Sequence, residues 1–234
     1  MGLALPSSPA LLVLHLLFMV PALLIGLVLH EFAHALVAVR RGDPTPKNQG
    51  RLTLDPRRHL EPLGTLMVLL VGVGFAKPVQ VNQARLRSTV DRVVVALAGP
   101  FMNLVVAAAV SVPMKLLEVT DTFGLRHFVA PCGSTVDPLL LLQVELFYIY
   151  TLNLFLFVFN LLPIPPLDGF ELVRAVLRKS NPRLLFQVES NRQAIILVAI
   201  LIFFFVPGVL GTLMNFVVGP VAGLLGPPLS FPCR

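Results

Sequence analysis

The sequence predicts an all-α polytopic membrane protein with about five spanning helices and a re-entrant segment carrying a short β-hairpin. Three observations carry that expectation. Of 234 residues, 56% are hydrophobic and only 13% are charged, whereas a soluble domain is about half apolar and about a quarter charged. The mean hydropathy is +0.85. The eighteen Lys and Arg gather between apolar runs rather than spreading along the chain. A soluble enzyme could not cover its surface with so few charges, and a disordered chain would not be this apolar. Two Cys make no disulfide scaffold.

The elements follow in order. A helix needs about 20 mostly apolar residues to cross the hydrocarbon core. Residues 10–39 supply more than that before Arg40 and Arg41 stop the run. The run lacks a basic n-region and is too long for a signal peptide, so it reads as a retained span. Residues 62–76 are apolar but short, and Gly72 and Gly74 weaken them as a span. Residues 93–117 and 138–162 are full spans, and 194–206 and 208–225 form a pair divided by Pro207. Residues 1–234 read as one membrane-embedded domain, with a core over about 10–175 and a C-terminal helical pair over about 193–228.

Orientation follows from the loops, because cytoplasmic loops collect Lys and Arg. Residues 40–58, 77–92 and 171–192 are basic loops, whereas 118–137 holds Arg126 alone. The first three therefore face the cytosol, the N-terminus lies outside and the C-terminus inside. That arrangement requires 62–76 to enter and leave on one side, as a re-entrant segment. The alternating residues 75–82 are its return limb. Cys132 and Cys233 then lie on opposite sides and cannot pair. The basic loops act as topology signals and contacts for anionic lipid headgroups, with no nucleic-acid partner implied.

The first span contains His30-Glu31-Phe32-Ala33-His34. Residues i and i+4 share a helix face, so both imidazoles can reach one metal ion, and Glu31 is placed to act on a bound water. This is the H-E-x-x-H pattern of zinc hydrolases. Zinc suits two neutral imidazoles and a carboxylate with a fourth position left open. With five His and six Glu in the chain, chance matches number roughly 0.003 if positions are independent. A carboxylate inside a span costs about 2.5–3.5 kcal/mol on insertion scales and marks function by default.

A third ligand must come from elsewhere, and the candidate is Asp168, in the stretch Asn160-Leu161-Leu162-Pro163-Ile164-Pro165-Pro166-Leu167-Asp168-Gly169. Its prolines end a helix, and Gly169 permits a positive φ. A Pro-rich interfacial loop with an ordinary surface Asp is the competing reading. His30 lies about ten residues, roughly 15 Å, before Arg40, and the fourth run breaks at 160–168. Both features therefore sit toward the cytosolic half of the bilayer.

These motifs, with Gly99-Pro100-Phe101-Met102-Asn103 between them, resemble the site-2 protease family of intramembrane zinc metalloproteases over roughly residues 20–175. The resemblance implies that His30, His34 and Asp168 bind one Zn2+ per chain and that Glu31 is the catalytic base and acid. It also implies a membrane-spanning protein substrate, held as a strand against a membrane-inserted hairpin near Val79 and Val81. Asn160 would hydrogen-bond the substrate backbone or the developing oxyanion, or else cap its helix. Asn103 lies on the small-residue face begun by Gly99, where helix packing competes with an active-site contact. Asn153 shares the Asn160 face and is expected to bond between helices. His15 and Glu145 lie toward the outer half. PDZ and CBS domains of other members have no counterpart here, so substrate selection through them is not implied. The expected activity is an intramembrane zinc endopeptidase. A zinc-binding scaffold or transporter without hydrolysis is the rival, and the intact Glu31 speaks against it.

Overall fold

In a computed structural model, the structure describes residues 9–61, 64, 77–117, 138–205, 208 and 212. The described residues are mostly helical: α1 (Pro9–Arg40), α2 (Thr45–Asn48), α3 (Pro56–His59), α4 (Thr89–Leu116), α5 (Pro138–Asn160), α6 (Phe170–Ser180), α7 (Pro182–Ser190) and α8 (Arg192–Phe205). Three helical stretches among them are long and apolar enough to cross a membrane: Val13–Arg40, Thr89–Leu116 and Leu141–Asn160. Five spans are not what the described residues contain, because the region after Phe205 falls outside them apart from Gly208 and Thr212. The re-entrant segment 62–76 also lies outside them apart from Gly64, as do Cys132, Cys233 and the whole 118–137 loop.

Helices α1, α4 and α5 pack against one another in pairs. Ala107 and Met114 of α4 meet Tyr150 and Leu154 of α5 in a buried cluster. Between α1 and α5 the spacing is set by Gly26, where a Cβ would come within 2.8 Å of Leu156 Cδ1. Small residues allow such close approach where lipid offers no hydrophobic drive for helix association. The outward faces carry Val13, Leu17, Val105, Val112 and Leu116, all exposed, as lipid-facing positions would be.

The sequence puts the start of the second span at Val93, but α4 begins at Thr89. The cause is a capping arrangement at its end. Ser88 Oγ accepts the Asp91 N–H at 3.0 Å and donates to Asp91 Oδ2 at 2.9 Å, satisfying an otherwise orphaned donor. Arg41, just past α1, adds an ion pair to Asp91 at 2.9 Å. The expected basic loop 171–192 is largely helical as well, forming α6, α7 and the first residue of α8. Apolar Leu172 and Val176 recur one turn apart among its charges, which is helix periodicity that charge density conceals.

Two connections position the site. After α5, the turn containing the cis Pro165–Pro166 bond folds back, and Gly169 N–H donates to Asn160 O at 2.7 Å. Gly169 has φ −59 rather than a positive value. Its need is for space: a Cβ there would collide with the Leu161 backbone. The second connection, residues 77–82, has no regular structure and no ladder to another strand among the described residues, so the expected hairpin is not seen there. Lys77 N–H donates to His59 O at 2.8 Å, and Val81 packs against Ala38, Leu86 and Val95.

Candidate metal centre

One helical turn of α1 places His30 and His34 on the face directed toward α4, with ring centroids 4.7 Å apart. Their Nε2 atoms are 3.0 Å apart. The turn after α5 brings Asp168 Oδ2 to 3.1 Å from His30 Nε2 and 3.3 Å from His34 Nε2. Both histidines and Glu31 are buried. Among the described residues this is the one group of three or more His, Cys, Asp or Glu with converging ligand atoms.

The hydrogen bonds around the rings fix which nitrogens carry protons. His34 Nδ1 lies 2.7 Å from Val95 O, which can only accept, so His34 donates through Nδ1. Asn103 Nδ2 donates to Gly26 O at 3.1 Å and to Asn153 Oδ1 at 2.9 Å. Asn153 in turn donates through Nδ2 to Ile149 O at 2.8 Å. The Asn103 amide is thereby oriented with Oδ1 toward His30 Nδ1 at 2.6 Å, and His30 also donates through Nδ1. In the neutral rings both Nε2 atoms then present lone pairs. Asp168 Oδ2 is buried with no hydrogen-bond partner.

Two lone-pair nitrogens and an orphaned carboxylate oxygen, crowded together with no hydrogen between them, would repel one another. A cation resolves that conflict. Zinc bonds of about 2.0–2.1 Å in a tetrahedron put ligand atoms about 3.3–3.4 Å apart, close to the observed 3.0, 3.1 and 3.3 Å. Space is kept as well as charge. A Cβ on Gly99 would come within 2.6 Å of His30 Nε2 and would press on His34 Nε2 too. The donor set and the cleared face therefore fit zinc. Outer partners that fix the tautomers of ligand histidines are a general feature of such sites.

Glu31 faces a different neighbour. Its Oε2 accepts the backbone N–H of Val79 at 2.9 Å, which ties the segment 77–82 to it. Asn160 is half-buried and donates through Nδ2 to Leu156 O at 2.9 Å. Asn103 and Asn153 are fully buried with their amide nitrogens spent on protein partners. His15 bonds Tyr148 Oη through Nδ1 at 2.7 Å, away from the triad. A cleft of about 560 Å³ opens at Asp168 between the proline turn, α6 and the start of α8, with Glu171, Arg174 and Arg192 on its walls. Burial pushes the Glu171 carboxyl up, against the opposing charge and hydrogen bond of Arg174.

Sequence reasoning missed Asp43. It is fully buried just beyond α1 and accepts the N–H and Oγ1 of Thr45 and, at 2.7 Å, the N–H of Asn82. The available signal was a Gly-Asp-Pro triplet immediately after the basic stop of the first span.

Residues 18–206 match the model of peptidase family M50. A Bacillus subtilis protein named as a zinc metalloprotease, YwhC, is 36% identical over 174 residues, which is 74% of this chain and 75% of that protein. Rip2 of Mycobacterium tuberculosis, also named as a zinc metalloprotease, is 33% identical over 183 residues, covering 76% of this chain and 64% of its own length. No solved structure matches the chain. A family match over most of the chain and a relative this similar along three quarters of its length lead to one conclusion: the chain belongs to peptidase family M50, the site-2 protease family of zinc metalloproteases.

Proposed function

We propose that this zinc metalloprotease is an intramembrane endopeptidase that cuts peptide bonds of membrane-spanning proteins within or beside the bilayer. The observation that carries the reading is the convergence of His30 Nε2, His34 Nε2 and Asp168 Oδ2 on spanning helix α1, each ring oriented through Nδ1. Bound there, zinc supplies a Lewis acid that polarises the scissile carbonyl and lowers the pKa of water toward about 7. Glu31 takes a proton from the attacking water and delivers it to the leaving amine as the C–N bond breaks. The Val79 N–H holds one Glu31 oxygen and leaves the other for that proton. Asn103 keeps His30 in register, a role that its burial and its bond to Nδ1 support better than substrate contact.

A helical substrate keeps its scissile carbonyl hydrogen-bonded, so it unwinds locally before attack. An extended substrate strand lies along residues 77–82 beside Val79 and Val81, pairing with backbone groups other than the Lys77, Val79 and Asn82 N–H groups already bonded within the chain, and Asn160 bonds its backbone. Water reaches the site through the cleft at Asp168. The excess of Lys and Arg in residues 40–58, 77–92 and 171–192 puts those segments on the cytosolic side, with the N-terminus outside. A cysteine at position 80, in a chain otherwise free of Cys, reacting with impermeant maleimide only from outside would overturn that orientation.

The direct test uses a quenched fluorescent transmembrane peptide of about 20 residues with helix-weakening residues at its centre. Wild type cleaves it, whereas Glu31→Gln keeps its zinc and loses turnover. Full cleavage by Glu31→Gln would refute the mechanism.

A further inference from the structure

We propose that Asp43 is a positioning residue for this reaction: by accepting the Asn82 N–H it fixes residues 77–82 where the Val79 N–H holds the Glu31 carboxylate. The proposal rests on the reading of Glu31 as the base. The geometry begins at the end of α1, where Gly42 has φ +103, a left-handed conformation that glycine tolerates best. Asp43 N–H then bonds back to Ala38 O at 3.0 Å, and the side chain is drawn out of solvent completely.

The two carboxylate oxygens have separate tasks. Oδ1 accepts the N–H of Thr45 at 3.0 Å and its hydroxyl, which builds a local turn. Oδ2 reaches 39 residues along the chain to Asn82 N–H at 2.7 Å. Burial pushes the Asp43 carboxyl up, but the bonds from Thr45 and Asn82 and the charge of Arg85 outweigh it and hold it below the usual carboxylate range. A buried carboxylate, charged at neutral pH, makes a stronger acceptor than a neutral group would.

Val79 lies between two fixed points. Upstream, Lys77 N–H donates to His59 O at 2.8 Å. Downstream, Asn82 is held by Asp43. Residues 43–60 make two further contacts with the segment: Arg51 Nη1 donates to Lys77 O at 3.4 Å, again at the upstream end, and Gln49 Nε2 donates to Gln80 Oε1 at 3.1 Å, an exposed bond that competes with water. Releasing Asn82 leaves only non-directional apolar packing of Val81 against Ala38, Leu86 and Val95 in place of a fixed hydrogen bond at that end, three residues from the amide on Glu31. A shift of about 1 Å at a catalytic group can cost roughly 100-fold in rate.

The test compares wild type, Asp43→Asn, Thr45→Val and Asn82→Pro in nanodiscs. It reads zinc content, hydrogen exchange of the 77–82 amides, and kcat and KM on the quenched transmembrane peptide. Asp43→Asn can keep the oxygen on Thr45 but then turns an NH2 toward Asn82 N–H, so it releases the long-range bond alone. The expected result is faster exchange over 77–82, zinc still near one per chain, and kcat down at least about tenfold with KM within about threefold. Asn82→Pro removes the donated N–H and leaves Asp43 untouched. It should reproduce the loss of kcat, and it decides the matter if Asp43→Asn fails to fold. Thr45→Val should leave exchange and kcat near wild type. Unchanged exchange in the folded Asp43 and Asn82 variants, faster exchange with wild-type kcat, or an equal loss in Thr45→Val would overturn the proposal. A wild type without peptidase activity, or an active Glu31→Gln, would instead break the reading of Glu31 and the catalytic half of this proposal with it. The exchange data would still decide whether Asp43 clamps the segment.

Discussion

The interior of the three-helix bundle and the polar segments folded beneath α1 solve the same problem in different ways. Inside the bundle, buried polar groups answer one another across helices: His30 to Asn103, Asn103 to Asn153 and Gly26 O, His34 to Val95 O. Every partner there rides on a long helix, so positions are fixed by helix packing, and each group lost leaves another unsatisfied in apolar surroundings. Residues 41–60 and 77–88 have little regular structure, and side chains bind their backbone instead. Asp43 holds Thr45 and Asn82, Asp55 caps Arg57, Ser88 caps Asp91, and the Arg51 guanidinium bonds the Arg58 carbonyl. The proposed metal ligands on α1 belong to the first kind of region, and the Val79 N–H on Glu31 belongs to the second. Metal binding and turnover should therefore separate under mutation.

The largest effect comes from breaking the triad itself. Asp168→Ala removes a buried oxygen that makes no other hydrogen bond, so the fold should survive while zinc and activity are lost together. Zinc per chain by mass spectrometry, beside far-UV circular dichroism, checks this. Zinc retained at wild-type level would mean that Asp168 is not a ligand.

Gly99→Ala sharpens the contrast within one residue. In a helix Ala is favoured over Gly by roughly 0.8–1 kcal/mol, which offsets part of the roughly 1–3 kcal/mol that overpacking a buried site costs, so thermal stability should fall only slightly. The added Cβ nevertheless meets His30 Nε2 at 2.6 Å, and the ring cannot swing away without breaking its Nδ1 bond to Asn103. We expect activity to fall by about 100-fold or more, with weaker zinc retention against a chelator. Wild-type turnover in this variant would show that the cleared face is not needed.

Much of this centre was legible in the sequence, and the rest was not, for a physical reason. His30, Glu31 and His34 are readable because their relation is local: one helical turn sets it. Asp168 is readable only through its motif, since a fold-back of the chain after Asn160 brings it in. The bond between Asn103 and His30 joins residues 73 positions apart. It depends on how α4 is rotated against α1, which spacing along one helix does not state, so Asn103 could be placed on a small-residue face but not against a particular ring. The start of α4 was signalled by Ser88 and Asp91 but hidden by hydropathy, which counts Asp91 and Arg92 as loop. Asp43 was hidden more deeply, because its partner Asn82 lies 39 residues away and becomes visible only when residues 77–82 are seen bonded to the end of α1.

Asn103→Ala tests the outer partner of His30. Losing such a partner typically costs 10–100-fold in metal affinity or activity, and that range is expected here. Chelator competition separates a weakened site from a misfolded one. An Asn103→Ala variant with wild-type zinc affinity and turnover would assign the residue to packing alone.

Asn153→Ala should do much less, and the gap between it and Asn103→Ala measures how the network is built. Asn153 touches no ligand; it receives one of two bonds from Asn103 Nδ2 and passes one to Ile149 O. With Asn153 truncated, Asn103 still donates to Gly26 O at 3.1 Å, so its oxygen still faces His30 Nδ1 and the tautomer is kept. Interhelical hydrogen bonds in membranes are worth about 0.6 kcal/mol on average, roughly a threefold change in an equilibrium constant. Stability should drop by about that amount, with zinc stoichiometric and turnover within about threefold. If Asn153→Ala instead matched Asn103→Ala, the Gly26 carbonyl alone would be too weak to orient the amide, and the histidine would be held by α5 as much as by α4.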